Sequence, residues 1–304
     1  MRARGFFLVL GFIGLMGAGA AGAQDTTIFE KMSPYHDVRV AEFKGARVLW
    51  FDNAPQSRMN LADPNVGEFE YTDYFHMVWL WNPRIRNVLM LGLGGGSVQR
   101  LFEYYYPGVR IQTAEIDPLV KTVAVNYFHF AESDRQRLAI ADGRQFLEHT
   151  ADKYDAILID AYTLSPYGLS LPPWMVTKEF FELVKAHLAP GGVVASNVVN
   201  LPGTDILAAI DATLQAVFPQ VYGFQCQESP NVVAVATLSG QRLDLAALEN
   251  VARPLVSAGR LQLPRYLDLL KNLQPTAPSP TAEAPVLTDN FAPVERLMTV
   301  KANP

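Results

Sequence analysis

From residue 87 onward the chain repeats one pattern: a short apolar run that ends near a glycine or an acid, then a stretch with helical spacing. Runs at 88–91, 110–115, 137–141, 154–160 and 193–198 read as strands. The intervening residues up to 106, and those at 118–128, 144–150 and 176–188, read as helices. Strands alternating with helices call for an α/β fold with a mostly parallel sheet covered on both faces. After a helix at 205–217, the runs 221–225 and 231–237 read as a closing hairpin, a common antiparallel edge on such sheets.

The flanks have a different character. Residues 37–43 and 47–52 read as strands around Lys44-Gly45, 53–67 is polar and turn-rich, and 69–81 is aromatic at helical spacing. The expected organisation is a small N-terminal β-unit with a connecting helix at 24–82, an α/β domain at 83–240, and C-terminal helices with a Pro-rich tail at 241–304. Residues 243–256 and 263–273 look helical, and 274–285 reads as an extended tether. At the front, Arg2 and Arg4 precede an apolar run at 6–16 and small residues at 17–23, with Ala21 and Ala23 at the positions a signal peptidase reads. The run is shorter than the ~20 residues needed to cross a bilayer. Residues 1–23 are therefore expected to be an export signal, with a periplasmic or extracellular mature chain and no stable membrane span; an uncleaved anchor or a mis-assigned start is the alternative.

Of the 304 residues, 49% are hydrophobic and 18% charged, enough to bury a core. The net charge of −5 gives no footprint for nucleic acid. A single cysteine, Cys226, rules out an internal disulfide, and its apolar setting suits a buried thiol better than a nucleophile. No Cys/His cluster has metal-ligand spacing, so no metal is expected.

The chemistry concentrates where strands end. Gly92-Leu93-Gly94-Gly95-Gly96-Ser97 joins a strand to a helix; its glycines let a ligand approach the backbone and the free N–H groups of the helix. A tight turn without a ligand is the alternative. Glu115 ends the second strand, where an acid can accept both hydroxyls of a ribose. Asp142-Gly143 ends the third, where a carboxylate can accept from an adenine amino group. Ligands bind at the carboxyl ends of strands in open α/β sheets. Asp160 ends the fourth strand after three apolar residues. Burial there raises a carboxylate pKa and suits a general base acting on an amine; a helix-capping or loop-fixing Asp is the alternative. Tyr162, Tyr167 and Trp174 follow, either as aromatic faces for a sulfonium or ammonium cation or as a hydrophobic lid.

In order and spacing, the glycine turn, Glu115-Ile116-Asp117, Asp142-Gly143 and Asp160 resemble the spermidine synthase family. Ser33-Pro34-Tyr35, Phe51-Asp52-Asn53-Ala54-Pro55-Gln56, Glu70-Tyr71 and Leu188-Ala189-Pro190-Gly191-Gly192 agree with it. The resemblance spans about residues 33–237. It implies a Rossmann-like S-adenosylmethionine-dependent methyltransferase fold and transfer of an aminopropyl group from decarboxylated S-adenosylmethionine to an amine, with no tightly bound cofactor. It implies that Gln56, Gly92, Gly94, Gly96, Glu115, Asp142 and Gly143 bind the nucleoside, that Tyr71 and Tyr162 bind the substrate, and that Asp160 is catalytic. A polyamine would be the second small-molecule partner, and a homo-oligomer is compatible with the family.

Three positions depart from that pattern. Gly95 and Thr163 stand where the family usually has Asp, and Thr72 where it has His or Gln. A diamine in a partly dry cleft needs compensating carboxylates, so the amine half reads as depleted. Two other functions stay open: a methyltransferase on S-adenosylmethionine, or a non-catalytic exported protein that binds a nucleoside or polyamine. Export itself conflicts with a nucleoside substrate made in the cytoplasm.

Overall fold

The computed structural model describes residues 25–66, 69–165, 168–274 and 284–300. The expected export signal, Tyr167 and most of the expected tether lie outside them.

The N-terminal unit is a four-stranded antiparallel meander: β1 (Thr26–Met32), β2 (Asp37–Phe43), β3 (Ala46–Phe51) and β4 (Ala54–Asn60). Two strands more than expected are present. β4 falls in the segment read as polar and turn-rich because only Ser57 and Met59 of its seven residues are buried. Its register against β3 shifts between Leu49↔Ser57 and Trp50↔Pro55, which leaves Gln56 as the extra residue of a bulge. The meander rests on the main domain through Val38, Val40, Leu49 and Met59 against Val123 and Phe128.

A short helix, α1 (Tyr71–Tyr74), runs into a 3₁₀ turn (Phe75–Leu80). The α/β domain follows: β5 (Asn87–Leu91), α2 (Ser97–Tyr105), β6 (Arg110–Glu115), α3 (Pro118–Tyr127), β7 (Gln136–Ile140), α4 (Gly143–His149) and β8 (Tyr154–Ile159). The expected long loop contains a small hairpin, β9 (Thr163–Ser165) and β10 (Gly168–Ser170). Then come α5 (Lys178–Ala186), β11 (Leu188–Val199), α6 (Ile206–Gln215), β12 (Gln220–Gln225) and β13 (Asn231–Thr237). The C-terminal region holds α7 (Leu245–Ser257), α8 (Tyr266–Leu270) and α9 (Val294–Met298).

The seven-stranded sheet has the order β12-β13-β11-β8-β5-β6-β7. Pairs from β11 through β7 are parallel, and β13 is antiparallel to both its neighbours. Alternate residues serve opposite faces, as strand geometry requires. Val88, Met90, Ala156 and Leu158 face Phe102, Trp79 and Leu248, while Leu89, Leu91, Ile157 and Ile159 face Leu147, Phe180 and Ile210. Both faces are dry, which explains why these strands read as unbroken apolar runs.

Candidate active site

The strand order changes direction beside β5, and the residues singled out in the sequence gather there, at the carboxyl ends of β5, β6, β7 and β8. Gly92, Gly94 and Gly96 take φ of 103°, 54° and 68°, which explains three of the glycines by backbone conformation. Gly92 also lies against the next strand, where a Cβ would sit 2.1 Å from the Asp160 carbonyl oxygen. Three N–H groups of the turn are tied from outside it, the first being Gly92 N, which donates to Ala114 O at 2.9 Å. Leu93 donates to Glu115 Oε2 at 2.9 Å, and Gly95 donates to Ser57 Oγ at 2.8 Å. β4 therefore reaches the turn through Ser57, next to the bulged Gln56, whose own amide donates to Ala54 O at 3.2 Å.

Glu115 is 8% exposed. Its Oε1 accepts from Asp117 N at 2.8 Å, so the carboxylate joins the glycine turn to the start of α3. Burial pushes its pKa up to about 7, outweighing the backbone N–H donors that act the other way. The free protein should therefore lose stability as pH rises from about 4.5, the unfolded value, to about 7, with a slope of ~1.4 kcal/mol per pH unit for each such group. Asp73, raised to about 6, and Asp211, raised to about 7, both by burial, act in the same sense. Urea unfolding at pH 5 and pH 7 measures this slope. It should be shallower in Glu115→Gln, and an unchanged slope contradicts the assignment.

Asp142 caps α4: its Oδ1 accepts from Arg144 N at 2.9 Å and Gln145 N at 3.0 Å. Its Oδ2 accepts from Trp174 Nε1 at 3.1 Å. Gly143 packs tightly, since a Cβ there would lie 3.1 Å from Met175 Cε and 3.4 Å from Leu91 Cδ2.

Asp160 is held on both oxygens. Asn197 Nδ2 donates to Oδ1 at 2.9 Å, and the Tyr71 hydroxyl donates to Oδ2 at 3.1 Å. Asn197 is itself set by Asn231 Nδ2, which donates to its Oδ1 at 2.8 Å. Burial raises the Asp160 pKa, while the Asn197 and Tyr71 hydrogen bonds lower it. A carboxylate fixed by two donors and only partly stabilised in its charged form can accept a proton from a neighbouring group.

Other expected contributors have different partners. The Tyr162 hydroxyl donates to Asn197 O and accepts from Val199 N, both at 3.0 Å, so it fastens the loop to β11 and only the ring remains for a substrate. Thr72 is buried and its hydroxyl donates back to Phe69 O at 2.8 Å. Gly95 is filled from behind: a Cβ there would lie 2.9 Å from Ser57 Cβ and 3.0 Å from Phe128 Cδ1. An acid at Gly95, even combined with one at Thr163, would find no room for its side chain without displacing Ser57 or Phe128.

Substitute acids are scarce. Glu70 accepts from Gln227 N, Glu228 N and the Tyr74 hydroxyl at 2.7–2.9 Å. Asp289 is paired with Arg144 at 2.6 Å. Asp73 follows Tyr71 by two residues on α1, about 200° around the helix from the residue that meets Asp160.

Ser57, Asn197 and Asn231 were missed in the sequence. Asn197 carried a signal, a lone amide inside an apolar strand, because a buried polar group needs a partner.

Known proteins resemble the chain in sequence and in fold. A polyamine aminopropyltransferase of Vibrio vulnificus is 31% identical over 287 residues, covering 90% of this chain and 92% of that protein. An eEF1A lysine and N-terminal methyltransferase of Xenopus laevis is 35% identical over 162 residues, covering 51% of this chain but only 23% of that longer protein. The crystal structure of human Methyltransferase-like protein 13 in complex with SAH superposes with a TM-score of 0.57 at 27% identity, covering 64% of this chain and 93% of that one. The sheet order and these likenesses make the fold a Rossmann-like methyltransferase fold with an added N-terminal meander. The family model of the spermine/spermidine synthase domain matches residues 68–231, from just before Tyr71 through Asn231 and thus across the whole Asp160 cluster, and the chain belongs to that family.

Proposed function

We propose that this protein is a transferase that moves an aminopropyl group from decarboxylated S-adenosylmethionine to an amine, and that its acceptor is not an ordinary diamine. The observation that carries the reading is the Asp160 carboxylate held between Asn197 and Tyr71, on a residue whose main-chain carbonyl packs against Gly92 of the glycine turn. The nucleoside lies along the strand ends. Glu115 accepts the ribose hydroxyls on the lone pairs that Leu93 and Asp117 leave free, and Asp142 accepts the adenine amino group. Backbone at Gly92, Gly94 and Gly96 borders the sugar and sulfonium, with the rings of Tyr71 and Tyr162 as neighbours for the cation. The acceptor nitrogen attacks the carbon attached to sulfur. The new C–N bond takes the nitrogen lone pair, the C–S electrons return to sulfur, and a neutral thioether leaves. The proton from nitrogen passes to Asp160.

Gly95, Thr163 and the bonded states of Glu70 and Asp289 support a weak diamine site. The same features support a second reading, methyl transfer from S-adenosylmethionine, because that reaction needs no carboxylates for a polyamine. Product formation from each donor separates the two. The expected result is a slow adenosyl thioether product from decarboxylated S-adenosylmethionine, with putrescine a poor acceptor. Methylation with S-adenosylmethionine alone would replace the reading, and rapid turnover of putrescine would remove the claim of an unusual acceptor.

A further inference from the structure

The C-terminal segment is sewn to α5 and α6, and α5 packs against α4, the helix that Asp142 caps. Leu287 N donates to Thr213 Oγ1 at 2.9 Å, Lys178 N donates to Leu287 O at 2.8 Å, and Asp289 N donates to Glu179 Oε2 at 2.9 Å. The Asp289 carboxylate receives Arg144 bidentately, at 2.7 Å and 2.6 Å, and the Thr177 hydroxyl at 2.7 Å. Arg144 Nη1 also donates to the Trp174 carbonyl at 3.0 Å. The Trp174 indole then donates to Asp142 Oδ2. One connected path thus runs from residue 289 to the acid that ends β7. A bidentate guanidinium–carboxylate pair fixes direction as well as distance, so Arg144 holds the Trp174 backbone in place.

We propose that Trp174 is a positioning and specificity residue for the base end of the nucleoside site, and that the C-terminal segment acts on that site through Asp289 and Arg144. The proposal rests on the nucleoside reading of Asp142. Oδ1 of Asp142 already takes two backbone N–H groups, so Oδ2 is the acceptor left for a base. The indole N–H occupies one lone pair of Oδ2 and stops the carboxylate from turning, which aims the other lone pair. An exocyclic amino group donates to that oxygen, whereas a keto oxygen in the same place is repelled by it. Discrimination between adenine and hypoxanthine therefore depends on how firmly Oδ2 is held. Trp174 is also 43% exposed, an unusual position for so large an apolar ring. Its open surface lies beside the acid that would meet the base, where a flat heterocycle can use it.

The test compares S-adenosylhomocysteine with S-inosylhomocysteine as probes, by calorimetry and by tryptophan emission, on the full chain. The wild type should bind the adenosyl compound in preference to the inosyl one, with quenching of emission. Trp174→Phe should remove the quench, weaken adenosyl binding several-fold because Asp142 Oδ2 is no longer held in its aim, and narrow the base preference. Asp289→Asn should narrow the preference too, with partial recovery in Asp289→Glu. Folding of each variant is checked by its melting curve. Folded Trp174→Phe and Asp289→Asn proteins that keep wild-type affinity and preference overturn the proposal and leave the nucleoside site standing. An effect of Trp174→Phe without one of Asp289→Asn overturns the role of the C-terminal segment. A wild type that binds neither probe overturns the nucleoside reading and this proposal with it.

Discussion

Asp160→Asn should lower the rate of group transfer by about 10²–10⁴, the usual range for removing a general base, while nucleoside affinity changes only a few-fold. The substitution keeps the shape of the side chain and removes its ability to take a proton. Both hydrogen bonds can persist: the amide oxygen accepts from Asn197 Nδ2, and the amide NH₂ donates to the Tyr71 hydroxyl oxygen, reversing that bond. A complementary variant is Tyr71→Phe, which removes one donor but leaves the carboxylate. The Tyr71 hydrogen bond lowers the Asp160 pKa against the raising effect of burial. Without it the pKa should climb further. Asp160 acts as its charged form, so activity is lost as pH falls through its pKa, and in Tyr71→Phe that acid limb should move to higher pH. Single-turnover rates across pH with saturating nucleoside measure both effects. If Asp160→Asn retains wild-type turnover, the proton goes elsewhere. If Tyr71→Phe leaves the acid limb unmoved, Asp160 is not the group that titrates.

What the sequence could and could not foretell follows from how local each signal is. The strands 37–43, 110–115 and 231–237 were read with the bounds they have, because burial on both faces or a strict alternation is written in consecutive residues. The acids Glu115, Asp142 and Asp160 were legible as strand ends for the same reason. β4 was not, because Pro55 and a bulged Gln56 interrupt a strand whose outer residues are polar. The partners of the acids were harder still: Tyr71 lies 89 residues from Asp160, and Asp289 lies 145 from Arg144. Gly95 is the instructive case. Its sequence shows an acid missing from the turn, whereas the structure shows the space already taken by Ser57 and Phe128. The change at 95 is thus coupled to its surroundings, and one substitution would not reverse it.

Gly92→Ala should be the most damaging small change in the glycine turn, destabilising the protein by about 3 kcal/mol or more. Two causes add. Gly92 has φ of 103°, a region that L side chains rarely adopt and that costs about 1–3 kcal/mol when forced. Its new Cβ would also lie 2.1 Å from the carbonyl oxygen of Asp160 and 3.0 Å from the carbonyl carbon. Those are backbone atoms at the junction of β8 and the following loop, so no side-chain rotation relieves the overlap, and packing strain of this kind costs about 1–3 kcal/mol more. Gly191→Ala separates the two causes. Gly191 has φ of 77° and nothing within 4 Å of a Cβ, so it carries backbone strain without the collision. Urea unfolding of both variants should show a small loss for Gly191→Ala and a much larger one for Gly92→Ala. Equal losses would mean that the contact with Asp160 is loose. If Gly92→Ala does fold, the only escape is for the turn and the β8 end to move apart. That displacement shifts Asp160 relative to the Gly92–Gly96 backbone, so transfer should fall in the surviving folded fraction, whereas Gly191→Ala, at the start of β11's apolar run and away from the site, should leave it unchanged.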